Sequence, residues 1–284
     1  MIIYKDLKFK YFNSLKINNL IKYFFEVESA NEIYILKYIF DELSLSYFIL
    51  GNCSKVMFIK EVVNEPVIYI NEKFSELYIK NDKIIVSSGV KLNNLIPFLA
   101  KNNYSFLENL YPIPATIGGA IANNAGDYIS SISDSLIEIL VLTKNGKVLV
   151  IKNKDCDFSY RYFKYKNEYI ILYAAFKIVQ CKKEQIFNNI SESLKYRINN
   201  QPVNVNTCGS LFKNQNNIKV YKLLNDLQLD SLNFNGARLS KKHKNFLITD
   251  EKTTPNDVLK LIDFIKKEVN KHYNVDLDLE LTLY

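Results

Sequence analysis

Tryptophan is absent from the 284 residues, histidine occurs twice (His243, His272), arginine three times (Arg161, Arg197, Arg238) and glycine eight times. Two histidines are poor material for a Ser-His-Asp hydrolase, and no GxSxG elbow is present. The four cysteines, Cys53, Cys156, Cys181 and Cys208, show no CxxC spacing and have no histidine close by in sequence. A metal centre is therefore not expected. They are also too few and too scattered for a disulfide framework, which fits a reducing compartment. The longest uninterrupted apolar run, Tyr169 to Phe176, is eight residues, far short of the roughly 20 that span a bilayer. Met1 to Phe12 interleaves Lys5, Lys8 and Lys10 with apolar residues and has no apolar h-region. These absences predict a soluble cytoplasmic protein with no membrane insertion.

The net charge is +7, which invites a nucleic-acid partner. The basic set argues otherwise: of 37 basic residues, 34 are lysine. Bidentate reading of phosphate and base edges favours arginine. The lysines are also spread evenly among Asn, Ile and Tyr, as solvated faces are. No nucleic-acid partner and no obligatory protein partner is expected, although the positive field would favour a small anionic ligand.

What is present reads as a mixed α+β chain. Hydrophobic residues are 48% and charged residues 24%, ordinary globular values, and the length suggests about two domains. Ile21–Glu28 reads as a strand, followed by a Ser29/Glu32 capping box and a helix over 32–43. Strands are predicted over 46–50, 56–59, 67–70, 77–79 and 83–88, and a helix over 92–101. Asn145-Gly146 predicts a hairpin between strands 136–142 and 148–152. A buried strand follows over 168–179, then helices over 183–199 and 219–227 and a strand within 239–249. Thr254-Pro255 opens a helix to about His272. Leu277, Leu279, Leu281 and Leu283 alternate with Asp278, Glu280 and Thr282, predicting a last strand over 276–283. Boundaries fall near residues 73 and 195.

Five stretches hold residues suited to chemistry. Three glycines and four alanines lie between Ala115 and Gly126. Such a loop lets backbone N–H groups approach a pyrophosphate, or packs tightly on a sheet. It does not match GxGxxG, which disfavours an ordinary dinucleotide site. Leu50-Gly51-Asn52-Cys53-Ser54-Lys55 follows a strand, where small polar residues either line a ligand crevice or make an ordinary turn. Tyr160-Arg161 presents a planar cation that clamps a carboxylate or forms a surface ion pair. Gly209-Ser210 holds a hydroxyl at a loop or at a reacting atom. Glu280 is solvated, or faces a cleft.

In order and spacing these stretches resemble one family, the UDP-N-acetylenolpyruvoylglucosamine reductases, MurB-type flavoenzymes of peptidoglycan synthesis. The resemblance rests on Pro112-Ile113-Pro114-Ala115-Thr116-Ile117-Gly118-Gly119-Ala120, then Asn124-Ala125-Gly126-Asp127-Tyr128, Tyr160-Arg161, and Gly209-Ser210-Leu211-Phe212-Lys213-Asn214. It continues through Gly236-Ala237 with Ser240, Lys242-His243 and Asn245-Phe246 to Leu277-Asp278-Leu279-Glu280-Leu281. It covers the chain from about Phe12 to Leu283, and the short spacing after Ser210 is similar to the compact subgroup. The chain departs from the pattern at Cys53 (Gly), Lys55 (Asn), Pro112 and Ala115 (Gly), and Gln215 and Leu279 (Pro).

The resemblance implies a two-lobed FAD-binding domain of the vanillyl-alcohol-oxidase/PCMH type plus a small α+β substrate domain. The lobes would be residues 1–73, joined by the returning strand 276–284, and 74–195, with substrate bound by 196–275. It implies FAD and NADPH as cofactors and a UDP-sugar as substrate. Gly51, Asn52, Cys53, Ser54, Pro114, Gly118, Gly119, Asn124 and Gly126 would hold FAD. Tyr160, Lys213, Asn214, His243 and Asn245 would hold substrate, and Ser210, Glu280 and Arg161 would be catalytic. The alternatives are another FAD oxidase or dehydrogenase on the same fold, and a basic non-enzymatic binding module.

Overall fold

The computed structural model describes residues 1–215 and 218–284. The chain packs as two compact units. The first comprises Met1–Lys5, Tyr23–Asn52 and Glu65–Arg197; the second comprises Asp6–Lys22, Cys53–Asn64 and Ile198–Tyr284. Two short segments from the early part of the chain thus belong with the C-terminal part.

The first unit holds two sheets. In one, Val67–Ile70 lies between two parallel neighbours, Phe24–Val27 of the strand Leu20–Val27 and Phe48–Leu50. All four residues of Val67–Ile70 are buried, as a central parallel strand requires. Helix Ala30–Glu42 covers it with Ile33, Leu36 and Phe40. The Ser29 hydroxyl accepts from the Glu32 N–H, as expected of a cap. Only half of the capping box forms, however: the Glu32 carboxylate accepts instead from the Glu28 N–H at 2.7 Å and pairs with the Met1 ammonium. The sheet edge is Ile2–Lys8, mostly exposed and lysine-bearing. Its alternation is too polar for the sequence to have signalled a strand.

The second sheet of this unit is antiparallel, in the order Val148–Lys152, Leu136–Thr143, Tyr169–Lys177, Lys83–Ser87, Leu77–Lys80. The hairpin forms where Asn145-Gly146 placed it, with Gly146 at φ 72°. Helices Leu92–Lys101 and Lys183–Asn200 and the short helix Ile117–Ala122 pack their apolar faces on its core.

The second unit packs around helix Pro255–Tyr273, which buries Val258, Leu261, Ile262, Ile265 and Val269. Thr254 and Asp257 form a complete capping box with Pro255 in the first turn. Asn206–Ser210 pairs with Phe246–Thr249, which pairs with Arg238–Leu239. The long last strand expected over 276–283 is reduced to Thr282–Leu283, parallel to Val56–Met57, plus one bridge at Leu279. The alternation still decides burial, since Leu277 and Leu281 are buried. Only a few main-chain groups of this segment find a ladder partner.

Candidate active site

In the first unit three segments meet through main chain and small side chains. Thr116 caps helix Ile117–Ala122, its hydroxyl accepting from Gly119 N at 3.3 Å. Ile117 N and Gly118 N donate to Val90 O and Ser88 O, each at 2.8 Å. The helix start is thereby sewn to the turn after Lys83–Ser87, and these N–H groups are taken by protein acceptors. A Cβ on Gly118 would lie 2.9 Å from Ser88 Cβ, and one on Gly51 2.4 Å from Thr116 Oγ1. Close packing alone therefore demands glycine at both positions. Asn52 Nδ2 donates to Pro114 O at 2.9 Å, joining its turn to the same loop. The Ser88 hydroxyl is buried beside Gly118 and has no hydrogen-bond partner among the described residues. A buried orphan hydroxyl is rare in native proteins, and here it fits a ligand that brings its own acceptor.

Asn124, Gly126, Tyr160 and Arg161 form a second cluster in this unit. Ser159 to Tyr162 is a tight turn closed by bonds of 3.1 and 3.2 Å, with Arg161 at φ 53°. A non-glycine residue in the left-handed region is strained, and strain of this kind gathers at functional sites. The guanidinium donates to Asn124 O and Gly126 O and lies 5.0 Å over the Tyr160 ring. Asn124 Nδ2 returns a bond to Ser159 O at 2.8 Å, so loop and turn clamp each other. Asn124 is thus committed to protein atoms, and a Cβ on Gly126 would lie 2.6 Å from Ser130 O.

The charged cluster belongs to the second unit. Strand Asn206–Ser210 is irregular between Thr207 and Ser210. Gly209 sits there at φ 74°, its N–H held by Thr207 Oγ1 at 3.1 Å. Glu280 N donates to Leu211 O at 2.8 Å, bringing Glu280 to the serine's strand. Lys55 joins them: its amine lies 3.0 Å from Glu280 Oε1 and donates to Ser210 O. The Ser210 hydroxyl itself has no hydrogen-bond partner among the described residues. Cys208, buried next to this pair, has its thiol pushed up to about 11, by burial first, then with Lys55 and Glu280 acting in opposite senses.

The remaining expected residues divide. Asn245 does not reach outward. Its amide accepts from Phe212 N at 3.0 Å and donates to Phe212 O at 2.8 Å, and the residue is buried. Asn214 Oδ1 accepts from Val220 N at 3.0 Å, at the start of helix Val220–Asp226. Lys213 bonds Asp278 O through its main chain. The His243 ring packs on Phe246 at 4.5 Å and on Tyr221 at 5.5 Å. Burial lowers its pKa, and Nδ1 is buried with no partner among the described residues. Cys53 and Ser54 belong to the second unit, apart from Gly51 and Asn52. Cys53 is buried at φ 52°, with its thiol pushed strongly up by burial. Sequence reasoning read Lys55 only as the end of a turn that could line a ligand crevice, not as a neighbour of Ser210 and Glu280, and nothing in the sequence marked Ser88.

Residues 21–152 match the sequence model of the FAD binding domain, and residues 201–284 that of the UDP-N-acetylenolpyruvoylglucosamine reductase C-terminal domain. The UDP-N-acetylenolpyruvoylglucosamine reductase of Clostridium novyi is 30% identical over 282 residues, 99% of this chain and 92% of that protein. That of Fervidobacterium nodosum is 32% identical over 228 residues, 78% of this chain and 74% of its own. The crystal structure of the Thermus caldophilus UDP-N-acetylenolpyruvylglucosamine reductase has a TM-score of 0.85 at 26% identity, covering 100% of this chain and 99% of that one. Among the described residues no group of three or more His, Cys, Asp and Glu is arranged to hold a metal, and no helix is long and apolar enough to cross a membrane. With likeness running the length of both chains and an FAD-binding domain preceding the α+β domain that carries Ser210 and Glu280, the chain belongs to the UDP-N-acetylenolpyruvoylglucosamine reductase family.

Proposed function

We propose that this chain reduces UDP-N-acetylglucosamine enolpyruvate to UDP-N-acetylmuramate in peptidoglycan precursor synthesis, using NADPH through FAD. The observation that carries this reading is the joining of Ser210 and Glu280 by the 2.8 Å bond from Glu280 N to Leu211 O. Two residues far apart in sequence are brought together, with the serine hydroxyl uncommitted among the described residues.

FAD, when bound, supplies the hydride, taken from NADPH, that adds to the terminal carbon of the enol-ether double bond. Negative charge then develops on the neighbouring carbon and spreads into its carboxylate. Ser210 gives that carbon a proton. A hydroxyl is a weak acid, but a carbanion is a strong base, so geometry decides the transfer. Glu280 and Lys55 flank the serine. Arg161, always charged, favours the substrate carboxylate, with Tyr160 stacked on it. Its strained turn fixes the guanidinium before substrate arrives, so no ordering remains to oppose the reaction.

The glycine-lined junction of Gly51, Asn52, Pro114, Gly118 and Gly119, with the orphan Ser88 hydroxyl, holds FAD. Asn124 and Gly126 shape that surface through main chain, and Cys53 and Ser54 continue the turn. Residues 1–73, without the segments Asp6–Lys22 and Cys53–Asn64 that pack with the C-terminal part, and residues 74–195 form the flavin lobes, and 196–275 the substrate part. There Lys213, Asn214 and His243 remain candidates for the sugar nucleotide, while Asn245 shapes their loop. None of the four cysteines is in a disulfide, and both ligands are anionic metabolites of the cytoplasm, where we place the enzyme. Neither nucleic acid nor an obligatory protein partner has a part in the reaction.

The test is anaerobic. The FAD-saturated protein is bleached with a small excess of NADPH, and UDP-N-acetylglucosamine enolpyruvate is added. Rapid return of the flavin band is the expected result. A flavin that stays bleached until oxygen enters points instead to an oxidase or dehydrogenase on the same fold.

A further inference from the structure

Lys55 stands at a turn where the family pattern has asparagine, yet its side chain is engaged at both ends of the charged cluster. Its amine lies 3.0 Å from Glu280 Oε1, with the lysine side chain 23% and the glutamate 14% exposed. The same amine donates to the carbonyl of Ser210. At the irregularity beside Gly209 that carbonyl sits where the ladder is disturbed, so the lysine satisfies an acceptor that the sheet serves poorly. Gly209 leaves the amine room, since even an added Cβ there would stand 3.8 Å away. The stem is fixed at its root as well: Lys55 O accepts from Thr282 N at 2.9 Å, two residues beyond the glutamate. One residue therefore fixes the glutamate's carboxylate, its strand and the main chain of the serine.

We propose that Lys55 is a positioning residue for the reduction of substrate, acting through Glu280 and Ser210; the inference rests on the functional reading above. A mostly buried carboxylate that loses an ammonium held 3.0 Å away moves toward water, and that movement displaces it from the serine. Asparagine is shorter and uncharged, so restoring the family residue does not restore the contact. The lysine and the strand geometry that receives it act together in this chain.

The test measures both half-reactions of the full chain saturated with FAD by stopped flow. Lys55→Met is expected to bleach with NADPH within about twofold of the wild type, and to be re-oxidised by UDP-N-acetylglucosamine enolpyruvate on the order of 10²-fold more slowly, the size of losing one preorganised electrostatic contact. Lys55→Arg, which keeps charge and donors, should recover much of that rate, and Lys55→Asn should not. In the Glu280→Gln background, Lys55→Met should add little further loss, because residues acting as one unit are not additive. The proposal is overturned if Lys55→Met re-oxidises normally, if both half-reactions slow alike, if Lys55→Asn matches Lys55→Arg, or if the two losses simply multiply. Should Lys55→Met fail to fold, the Arg and Asn variants decide the matter, and the double variant removes both charges at once. A wild-type flavin that substrate cannot re-oxidise overturns the functional reading and the role of Lys55 with it. Normal wild-type re-oxidation with an indifferent Lys55 overturns the second alone.

Discussion

In the first unit the loops around Gly51 and Gly118 meet through main-chain atoms and small side chains, whereas in the second Ser210, Lys55 and Glu280 meet through an ion pair and a lysine bond to the Ser210 carbonyl. The first cluster tolerates almost no added volume. The second is held together by the Lys55–Glu280 pair and the lysine's bond to Ser210 O. Binding a large, flat cofactor asks for shape, and moving a proton asks for a polar group at a fixed point. On the reading proposed above, the two demands are met by different amino acids on differently built backbones.

The largest expected effect separates the two clusters by half-reaction. Ser210→Ala should slow re-oxidation by substrate on the order of 10³-fold, within the range of a lost general acid, with bleaching by NADPH near normal. Equal slowing of both steps would make Ser210 structural and erase the contrast. Next, Gly118→Ala would place a Cβ 2.9 Å from Ser88 Cβ and 3.3 Å from Ser88 O. Overpacking of this kind costs about 1–3 kcal/mol, and a thermal melt with an FAD titration should show lower stability and weaker FAD binding.

A smaller effect sits at Cys53, a buried side chain held at φ 52° where the family has glycine. Alanine there keeps the left-handed strain and loses the sulfur, while glycine relieves strain of about 1–2 kcal/mol. Cys53→Gly should therefore melt no lower than Cys53→Ala, the reverse of the usual order in regular structure. The smallest effect is on acid stability. His243 has its pKa lowered from 6.5 by burial, so the native ring stays neutral where the unfolded ring takes up a proton. Stability from this source is complete above about pH 6.5 and falls as pH drops below it. His243→Gln should flatten that part of a melting-temperature profile, and an unchanged slope would mean that the ring is hydrated.

Much of the architecture was legible because local signals decided it. Ser29, Thr254-Pro255 and Asn145-Gly146 set their helix starts and hairpin through bonds within a few residues. The order of motifs likewise marked the family, and alternation of leucines foretold which side of 276–283 is buried. Tertiary contacts escaped. Nothing beside Lys55 in the sequence announces Glu280, and nothing at Asn245 says that both ends of its amide are spent on Phe212. Motif position also assigned Asn124 to a cofactor, although its amide holds Ser159. The strand Ile2–Lys8 was missed because an exposed edge needs no apolar alternation.

The pairing of Thr282–Leu283 with Val56–Met57 has a consequence for how the molecule is made. Ile59 N donates to Tyr284 O, and Tyr284 N to Met57 O, so residues near 57 find their partners only when those near 284 have been synthesised. During translation the first unit has all of its chain available by residue 197, while Asp6–Lys22 and Cys53–Asn64, paired with each other at Leu20–Ile21 and Val62–Val63, still lack their C-terminal partners. Contacts so distant in sequence are slow to form. The cluster of Ser210, Lys55 and Glu280 is thus among the last parts of the protein to be assembled, and a nascent chain holds its FAD-binding domain before that cluster exists.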